Sequence, residues 1–403
     1  MKENGFASFL QVKVGSVAEQ IRGVSYSKDD ARSEPSKGFI PVLRANNVSD
    51  EGLVLKDFVF IPHEGVQSRQ LLRKGDILVV ASSGSLDVVG RAAMVQEDMD
   101  AGFGAFCKVV RPNSNVDSRY LAHFFRTPEY RRTISSLAGG ANINNLRGEH
   151  IDDLLLPLPS VAEQKRLAAI LDHADGIRRK RQQALRLADD FLRSVFLDMF
   201  GDPVTNPKGW KTSTLGDLVI EGDTINYGVI QPGSDYPGGV PLVRAGDINA
   251  ADPDVTKLKQ IDPEIDRNYD RSRLHGGEVL IGCVGAVGAT CIAPSSWAGI
   301  NIARAVARIR LQREMEPEFI LALLRTEALQ RYFAEEIRVV AQPTLNIKQI
   351  KETPIMVPPA TLRKEFASVA SRIIKAKERQ EGSARSSEDL FQSLQHRAFT
   401  GQL

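Results

Sequence analysis

One phrase that occurs twice constrains this chain more than any other feature of its sequence. The residues IPVLRANNV begin at Ile40, and VPLVRAGDI begins at Val240. Four more pairs of segments match in the same order, at an offset of about 200 residues: KVGSV with TLGDL, LLRKGDILVV with RLHGGEVLIG, YLAHFFRTPEYRR with FILALLRTEALQR, and LLLPLP with IMVPP. This period is far too long for a solenoid, so it indicates two copies of one domain, each followed by the same accessory element.

Length and composition agree with two soluble domains. The chain has 403 residues, against about 100–200 residues for a typical domain, and its net charge is only +2. Any basic surface must therefore come from clustering of charges. Three cysteines, Cys107, Cys283 and Cys291, are too few for a disulfide framework and indicate a reducing compartment. The N-terminal segment MKENGFASFLQVKVG lacks the apolar stretch of a secretion signal, and no window resembles a membrane span, so we expect a cytoplasmic protein.

Each half begins as an α+β domain and ends in a long helix. Segments rich in aliphatic residues, such as GDILVVAS and GEVLIGCV, predict strands, whereas VDSRYLAHFFRTPEYRRTISSL and MEPEFILALLRTEALQRYFAEEI have helical periodicity. The predicted boundaries are residues 1–157 for the first domain, 158–200 for the first long helix, 201–208 for a Pro- and Gly-containing linker, 209–357 for the second domain and 358–403 for the second long helix.

The two long helices have apolar residues at a spacing of three and four, which is typical of a coiled-coil seam. The predicted seam consists of Leu167, Ile170, Ala174, Ile177, Arg181, Phe191 and Val195 on the first helix, and Phe366, Val369, Ile373, Leu390 and Leu394 on the second. Two like halves suggest an internal two-fold axis, which makes the helices antiparallel with their middles facing. Arg181 is then expected near Gln380, Glu381 and Ser383, paired with Glu381 or Gln380. The alternative is that each helix packs only on its own domain.

Two domains held at a fixed distance by a helical rod suit a bipartite target. The major groove of DNA presents the same face about every 34 Å, and each helix is expected to be about 55 Å long. The framework strands of the two halves are alike while the loops differ, as expected for two domains that read different half-sites.

Several segments of the sequence resemble conserved regions of a known protein family. LPLPSVAEQKRLAAILDHADGIRRKRQQALRLADDFLRSVFLDMFGDP is similar to the first conserved region of type I restriction-modification specificity subunits. PKGWKTSTLGDLVIEGD resembles the start of their second target-recognition domain, and MVPPATLRKEFASV with LFQSLQHRAFTGQL resembles their C-terminal conserved region. The second copy has PPATLRKEF where the family usually has Glu-Gln, so docking of a partner at that end does not follow from the resemblance.

The resemblance implies an α+β fold in which two tandem target-recognition domains, related by a pseudo-two-fold axis, are joined by an antiparallel coiled coil. It further implies that each domain reads one half of a split, asymmetric site on double-stranded DNA. Two methyltransferase subunits are implied to dock on the chain and methylate an adenine in each half-site, and restriction subunits are implied to join them. S-adenosylmethionine, ATP and Mg²⁺ are implied for those partners, with no cofactor, metal or catalytic residue in this chain.

The sequence has none of several catalytic motifs. The Walker A phosphate loop, the Rossmann glycine spacing, the Asn/Asp-Pro-Pro-aromatic stretch typical of adenine methyltransferases and the zinc-protease motif H-E-x-x-H are all missing. Two alternatives to a non-catalytic DNA-binding subunit remain open: a fused methyltransferase or nuclease, and a coiled-coil scaffold that binds other proteins.

Three loop regions of each half offer side chains that can contact DNA. Arginine suits guanine, and asparagine or glutamine suits adenine. The candidates are Arg44, Asn46, Asn47, Ser82, Ser83, Asn142, Asn144 and Asn145 in the first half, and Arg244, Asp247, Gln342, Thr344 and Asn346 in the second. The alternative role of each asparagine is to cap a turn. Arg44 and Arg244 recur in both halves, which favours a phosphate or framework role over selection of a base.

A basic run, IRRKRQ, starts at Ile177 on the first long helix. It is either a solvated helix face or a set of phosphate contacts along the DNA between the half-sites.

Overall fold

The computed structural model describes residues 9–138, 144–249, 255–337 and 343–403. The chain divides into two compact units: unit 1 runs through residue 180 and includes 386–403, and unit 2 consists of residues 181–385. Each unit holds one α+β domain and about half of each of two long helices.

Domain 1 is the α+β part of unit 1. Its strands are β1 (Gln11–Lys13), β2 (Ala18–Arg22), β3 (Phe39–Leu43), β4 (Val48–Ser49), β5 (Gly52–Leu53), β6 (Val59–Pro62), β7 (Ile77–Val80), β8 (Ser82–Ser83), β9 (Ala92–Met94), β10 (Gly102–Phe103), β11 (Cys107–Pro112), β12 (Asn144–Asn145) and β13 (Leu155–Pro157). Its helices are α1 (Ser118–Phe124), α2 (Pro128–Ala138) and α3 (Gly148–Asp152), followed by the long helix α4 (Val161–Phe200).

Domain 2 is the α+β part of unit 2. Its strands are β14 (Lys211–Thr214), β15 (Asn226–Tyr227), β16 (Val240–Val243), β17 (Lys259–Ile261), β18 (Val279–Gly282), β19 (Thr290–Ile292), β20 (Asn301–Ile302), β21 (Val306–Ile309) and β22 (Pro354–Val357). Its helices are α5 (Pro263–Arg267), α6 (Pro317–Leu324), α7 (Glu327–Glu336) and α8 (Ile347–Lys351), followed by the long helix α9 (Ala360–Thr400).

The two domains have the same sheet topology, as the sequence repeat predicts. A four-stranded antiparallel sheet has the order β2-β11-β7-β9 in domain 1 and β15-β21-β18-β19 in domain 2. A three-stranded sheet has the order β10-β3-β6 in domain 1 and β20-β16-β17 in domain 2, with the first pair of each parallel. The central strands β7 and β18 are buried at every residue, which is why their sequences are continuous apolar runs.

The segment of domain 1 with helical periodicity forms two helices, α1 and α2. The first ends where Thr127 turns the chain: its hydroxyl donates to the carbonyl of Phe124 and accepts from the N–H of Tyr130 at 3.1 Å. Pro128 then begins α2 at a position where proline is favoured. Thr326 makes the equivalent cap before α7.

In unit 1, the first half of α4 packs with the last part of α9. Leu167, Ala168 and Leu171 share one core with Phe391 and Ala398 and with the buried residues of α1. A guanidinium nitrogen of Arg166 donates to the main-chain oxygen of Leu403 at 2.8 Å, which joins the segment after α9 to the start of α4.

In unit 2, the second half of α4 packs with the first part of α9. The rings of Phe196 and Phe366 are 5.5 Å apart, and those of Phe200 and Phe319 are 5.0 Å apart, so both long helices and α6 share one aromatic core. Lys377 of α9 forms an ion pair with Asp189 of α4. Along α4 the partner positions on α9 run backwards, so the helices are antiparallel, and the alternative that each packs only on its own domain is wrong.

At three positions of the predicted seam, the next residue along the helix packs inward instead. Leu167 and Phe366 are buried, and Ile170, Ala174, Val195, Val369, Ile373 and Leu394 are half-buried, as a seam requires. Ile177, Phe191 and Leu390 are instead 40%, 58% and 57% exposed, and their neighbours Arg178, Leu192 and Phe391 face inward. The strict heptad pattern fails because each helix packs on a domain as well as on its partner, and because a 3.6-residue period drifts away from a 3.5-residue one.

The middles of the helices meet as the sequence predicts. Within unit 2, Arg181 donates to the main-chain carbonyl of Ser383 at 2.6 Å. The acceptor in this bond is therefore a backbone oxygen of the expected segment, whereas we expected a side chain of Glu381 or Gln380.

Candidate nucleic-acid interface

In the first candidate loop, which follows β3, the side chain of Asn47 stabilises the turn. Asn47 is fully buried; its side-chain oxygen accepts from the N–H of Arg44 at 2.9 Å. Its amide group donates to the carbonyls of Val54 at 2.8 Å and Lys56 at 2.7 Å, which uses both donors. The expectation that Asn47 contacts DNA is therefore corrected: its role is structural, because no donor is left for a base.

Asp247 has the same role after β16. Its carboxylate accepts from the N–H of Arg244 at 2.8 Å and forms an ion pair with that side chain at 3.3 Å. Asp247 thus also holds its turn, and its contact with DNA stays a prediction. The guanidinium of Arg244 remains 53% exposed, whereas Arg44 is half-buried and donates to the carbonyl of Asp57 at 3.0 Å. Asn46 is exposed.

The second and third candidate loops of domain 1 form one two-stranded ribbon. Strand β8 pairs antiparallel with β12, so Ser83 lies opposite Asn144 and Ser82 opposite Asn145. The two serines are half-buried and Asn145 is exposed. In domain 2 the matching contact is a bridge between Val284 and Thr344. Residues 61 and 63 positions apart in domain 1 thus lie side by side, which loop composition alone does not reveal.

The remaining candidate residues differ in how exposed they are and in how much of them the structure describes. Asn142 and Gln342 lie outside the described residues, and only the backbone of Asn144 is described. Thr344 is half-buried, and Asn346 is exposed at the start of α8, where its N–H donates to the side chain of Gln349 at 2.8 Å. Asn346 thus occupies the capping position that the sequence offers as the alternative to DNA contact.

One exposed aromatic residue beside the ribbon was missed by the sequence analysis. Phe106 lies in the turn between β10 and β11, and its side chain is 68% exposed. Its carbonyl accepts from the N–H groups of Ala81 and Ser82, at 2.8 and 3.0 Å, so the turn is tied to the start of the ribbon. An aromatic residue in the short turn GAF between two strand patterns is the sequence signal that identifies it.

Two arginines of the basic run on α4, Arg178 and Arg179, are bound by a carboxylate. Asp175 accepts hydrogen bonds from Arg126, Arg178 and Arg179, and Arg178 also reaches Glu388 of α9 at 3.2 Å. Asp175 is 6% exposed and Arg178 is 12% exposed. Burial by itself would raise the pKa of Asp175, but the bonds and charges of the three arginines outweigh it and hold this pKa well below its usual value. Neither sequence interpretation fits Arg178, which helps to fasten domain 1 to both long helices.

The departure from the Glu-Gln pattern in the second copy has a structural explanation. At the start of α4, Gln164 donates to the carbonyls of Pro159 and Asn115 and accepts from the N–H of Asp117. At the start of α9, Arg363 donates to the carbonyls of Pro358 and Glu314, both at 2.6 Å, and to the carboxylate of Glu316 at 2.9 Å.

Both side chains therefore join the start of a long helix to the loop before a domain helix. Arginine takes the place of glutamine in domain 2 because a carboxylate, that of Glu316, lies where domain 1 offers the main-chain N–H of Asp117. The exchange keeps two hydrogen bonds to main-chain carbonyls and replaces the third contact, a hydrogen bond from a main-chain N–H, by an ion pair.

Within the described residues, no group of three or more His, Cys, Asp and Glu side chains is arranged to hold a metal ion. In the same part of the chain, no helix is long and apolar enough to cross a bilayer. Cys107 and Cys283 are free and buried, and burial raises the pKa of each thiol to about 12.

Comparisons with known proteins agree with this architecture. The family described as "Type I restriction modification DNA specificity domain" matches twice, over residues 9–187 and 207–382. The chain is 27% identical to the type I restriction enzyme EcoKI specificity subunit of Escherichia coli K12, over 89% of this chain and 80% of that subunit. It is 34% identical to the StySPI specificity subunit of Salmonella potsdam, over 52% of this chain and 47% of that protein.

A solved structure has the same fold. The S subunit of the type I restriction-modification system of M. genitalium aligns over 99% of this chain and 98% of its own length, with a TM-score of 0.57 and 13% sequence identity. The two family matches cover most of the chain and both α+β domains. The chain therefore belongs to the family of type I restriction-modification DNA specificity domain proteins.

Proposed function

We propose that this chain is the non-catalytic specificity subunit of a type I restriction-modification complex. Each domain reads one half of a bipartite, asymmetric site on double-stranded DNA, and the paired long helices set the unread spacer between the halves. The observation that carries the proposal is that one domain framework occurs twice, with corresponding turns but different side chains at its loops. Two like frameworks with unlike loops are what an asymmetric site requires.

The proposed DNA contacts are the exposed or half-buried members of the candidate loops. In domain 1 they are Arg44, Asn46, Ser82, Ser83 and Asn145; in domain 2 they are Arg244, Asp247, Thr344 and Asn346. Asn142, Asn144 and Gln342 stay predictions from the sequence. Serine hydroxyls and asparagine amides suit base edges and phosphates, and the guanidinium groups suit phosphates at positions shared by both domains.

The long helices offer apolar side chains to partner subunits. On the outer face of α4 in unit 2, Leu187 and Phe191 are each 58% exposed and one helical turn apart. In unit 1, Ile177 of α4 and Leu390 of α9 are also exposed. Exposed large apolar residues repeated along a helix suit the docking of another helix. We propose that two methyltransferase subunits dock there, and that restriction subunits join the complex.

The partners supply the chemistry in this proposal. S-adenosylmethionine is bound by the methyltransferase subunits, and ATP and Mg²⁺ are used by the restriction subunits, all in the cytoplasm. The proposed domain boundaries are those of the sequence analysis, with residues 1–157 and 209–357 as the recognition domains and residues 158–200 and 358–403 as the helices.

The test is methyl transfer by purified components. The chain with its methyltransferase subunit should transfer labelled methyl groups to DNA, whereas the chain alone and the methyltransferase subunit alone should not. Activity of the chain alone would favour the fused enzyme. Stable assembly without any binding to DNA would favour the protein scaffold.

The docking surface is tested separately with a double substitution. Leu187→Ser with Phe191→Ser should weaken co-purification of the methyltransferase subunit, and Leu55→Ser, at an exposed leucine of domain 1, serves as the control. Unchanged co-purification of the double variant would place the docking surface elsewhere.

A further inference from the structure

Phe106 has the most exposed aromatic side chain among the described residues, at 68%. A single exposed apolar residue is ordinary on a protein surface and needs no explanation by itself. Three further observations distinguish Phe106: its rigid backbone, its neighbours and its counterpart in domain 2.

Hydrogen bonds hold the backbone of the turn that carries Phe106. The N–H of Gly104 donates to the carbonyl of Leu43, and the N–H of Cys107 donates to the carbonyl of Gly104, both at 2.8 Å. The carbonyl of Phe106 itself accepts from the N–H groups of Ala81 and Ser82. The ring is therefore presented outward from a defined position rather than from a loose loop, which lowers the entropy lost when it contacts a partner.

The turn is hydrogen-bonded to the starts of two candidate DNA-binding loops of domain 1, and the second of these pairs with β12. Leu43 immediately precedes Arg44, and Ser82 begins the strand that pairs with β12. A Cβ atom placed on Gly104 would lie 3.8 Å from side-chain carbons of both Arg44 and Tyr26. The turn that carries Phe106 therefore lies beside Arg44 and next to the strand of Ser82 and Ser83.

Domain 2 has the same backbone frame without the aromatic ring. The N–H of Ala303 donates to the carbonyl of Val243 at 2.9 Å, and the N–H of Cys283 donates to the carbonyl of Ala305 at 2.8 Å. Ala305 thus occupies the place of Phe106. A shared frame that carries different side chains in the two domains is what a specificity-determining position requires, whereas a purely structural position would keep its residue.

An apolar aromatic side chain such as Phe106 suits an apolar group of DNA. In the major groove the 5-methyl group of thymine is the apolar feature of the base edges, and phenylalanine is among the residues that contact it. We propose, on the basis of the function proposed above, that Phe106 contacts the 5-methyl group of a thymine in the half-site read by domain 1. Ala305 leaves the corresponding position of the other half-site without this contact.

The experiment replaces thymines one at a time. Binding of the assembled chain and methyltransferase is measured on duplexes that carry the methylated motif, with deoxyuridine in place of each thymine in turn. Burial of one methyl group corresponds to about a three- to fivefold change in affinity. We expect one deoxyuridine, in one half-site, to weaken binding of the wild-type complex by that factor and to have no effect on the Phe106→Ala complex.

Matched variants separate this contact from other roles. Phe106→Leu should keep part of the response to deoxyuridine, and Ala305→Phe should leave it unchanged because it alters the other domain. Phe106→Ala should melt at the wild-type temperature, since the side chain is exposed.

Several results would overturn the inference. These are equal sensitivity of both complexes to every deoxyuridine, uniform weakening of Phe106→Ala on all duplexes as expected for a wedge between base pairs, and loss of the methyltransferase subunit from that variant. Failure of the proposed function is distinct, because the wild-type complex would then bind no split motif at all.

Discussion

The ion network around Asp175 allows a quantitative prediction for the substitution Asp175→Asn. Within unit 1 this carboxylate accepts two bonds from Arg126, at 2.9 and 3.2 Å, two from Arg178, at 3.0 and 2.8 Å, and one from Arg179 at 2.8 Å. The network links α4 to domain 1, because Arg126 also donates to the carbonyl of Asp50 at 3.2 Å. Asparagine keeps the shape of the side chain and removes its charge.

The expected loss of stability in Asp175→Asn follows from how deeply Asp175 and its arginine partners are buried. Removing one member of a buried ion pair costs about 3–5 kcal/mol, whereas exposed pairs contribute about 0–1 kcal/mol. Asp175 and Arg178 belong to the first class, with 6% and 12% exposure, while Arg179 is 39% exposed and contributes little. We therefore expect Asp175→Asn to lower the free energy of unfolding by about 3 kcal/mol at pH 7.

The dependence on pH has a defined sign. The arginines hold the pKa of Asp175 below its ordinary value of about 3.9, so near pH 4 the unfolded chain binds a proton that the folded chain does not. The stabilisation is complete above pH of about 4 and is lost as the pH falls through the folded pKa. The difference between wild type and Asp175→Asn should therefore shrink as the solution is acidified below pH 4.

The assay is urea unfolding at several pH values, followed by circular dichroism. The control is Asp190→Asn, which removes the same charge from an exposed position on the same helix and should change stability by less than about 0.5 kcal/mol. Equal stability of Asp175→Asn and Asp190→Asn at pH 7 would refute the reasoning, as would a difference that grows on acidification.

Two further substitutions test the packing of the helices and the domain framework. Arg363→Met should lower the free energy of unfolding by about 3 kcal/mol, because it leaves the half-buried carboxylate of Glu316 without its partner. Arg363→Met with Glu316→Leu should recover part of this loss, and additive losses would argue against the pairing. Gly23→Ala should impair folding, because the added methyl group would overlap the carbonyl oxygen of Gly104. The control is Gly65→Ala, where the methyl group would face open space and should not affect folding. Equal melting temperatures of the two variants would contradict the close approach of Gly23 to Gly104.

The larger features of this fold follow directly from the sequence. The repeat predicts two equivalent domains, and the apolar runs of β7 and β18 predict central strands that burial confirms. The long helices and their antiparallel pairing follow from their periodicity and from the duplication. These features depend on patterns that extend over many residues, so a local exception does not change them.

The sequence did not predict which of two neighbouring residues faces inward, or which asparagines stabilise turns rather than contact DNA. Ile177 and Arg178 are adjacent, and an apolar pattern favours the isoleucine as the inward residue. In the structure Arg178 faces inward because Asp175 and Glu388 neutralise it there. Asn47 looked like a base-reading residue for a similar reason: an asparagine that holds a turn and one that reads adenine have the same side chain, and only the positions of Val54 and Lys56 distinguish them.

The central claim is that two reading domains act on two separated half-sites. It is tested most directly by sequencing the methylated bases in the genome of a host that expresses this chain with its methyltransferase subunit. We expect one motif with two unlike specified halves, an unspecified spacer of constant length between them, and one methylated adenine in each half. A continuous motif, or two motifs methylated independently of each other, would contradict the account.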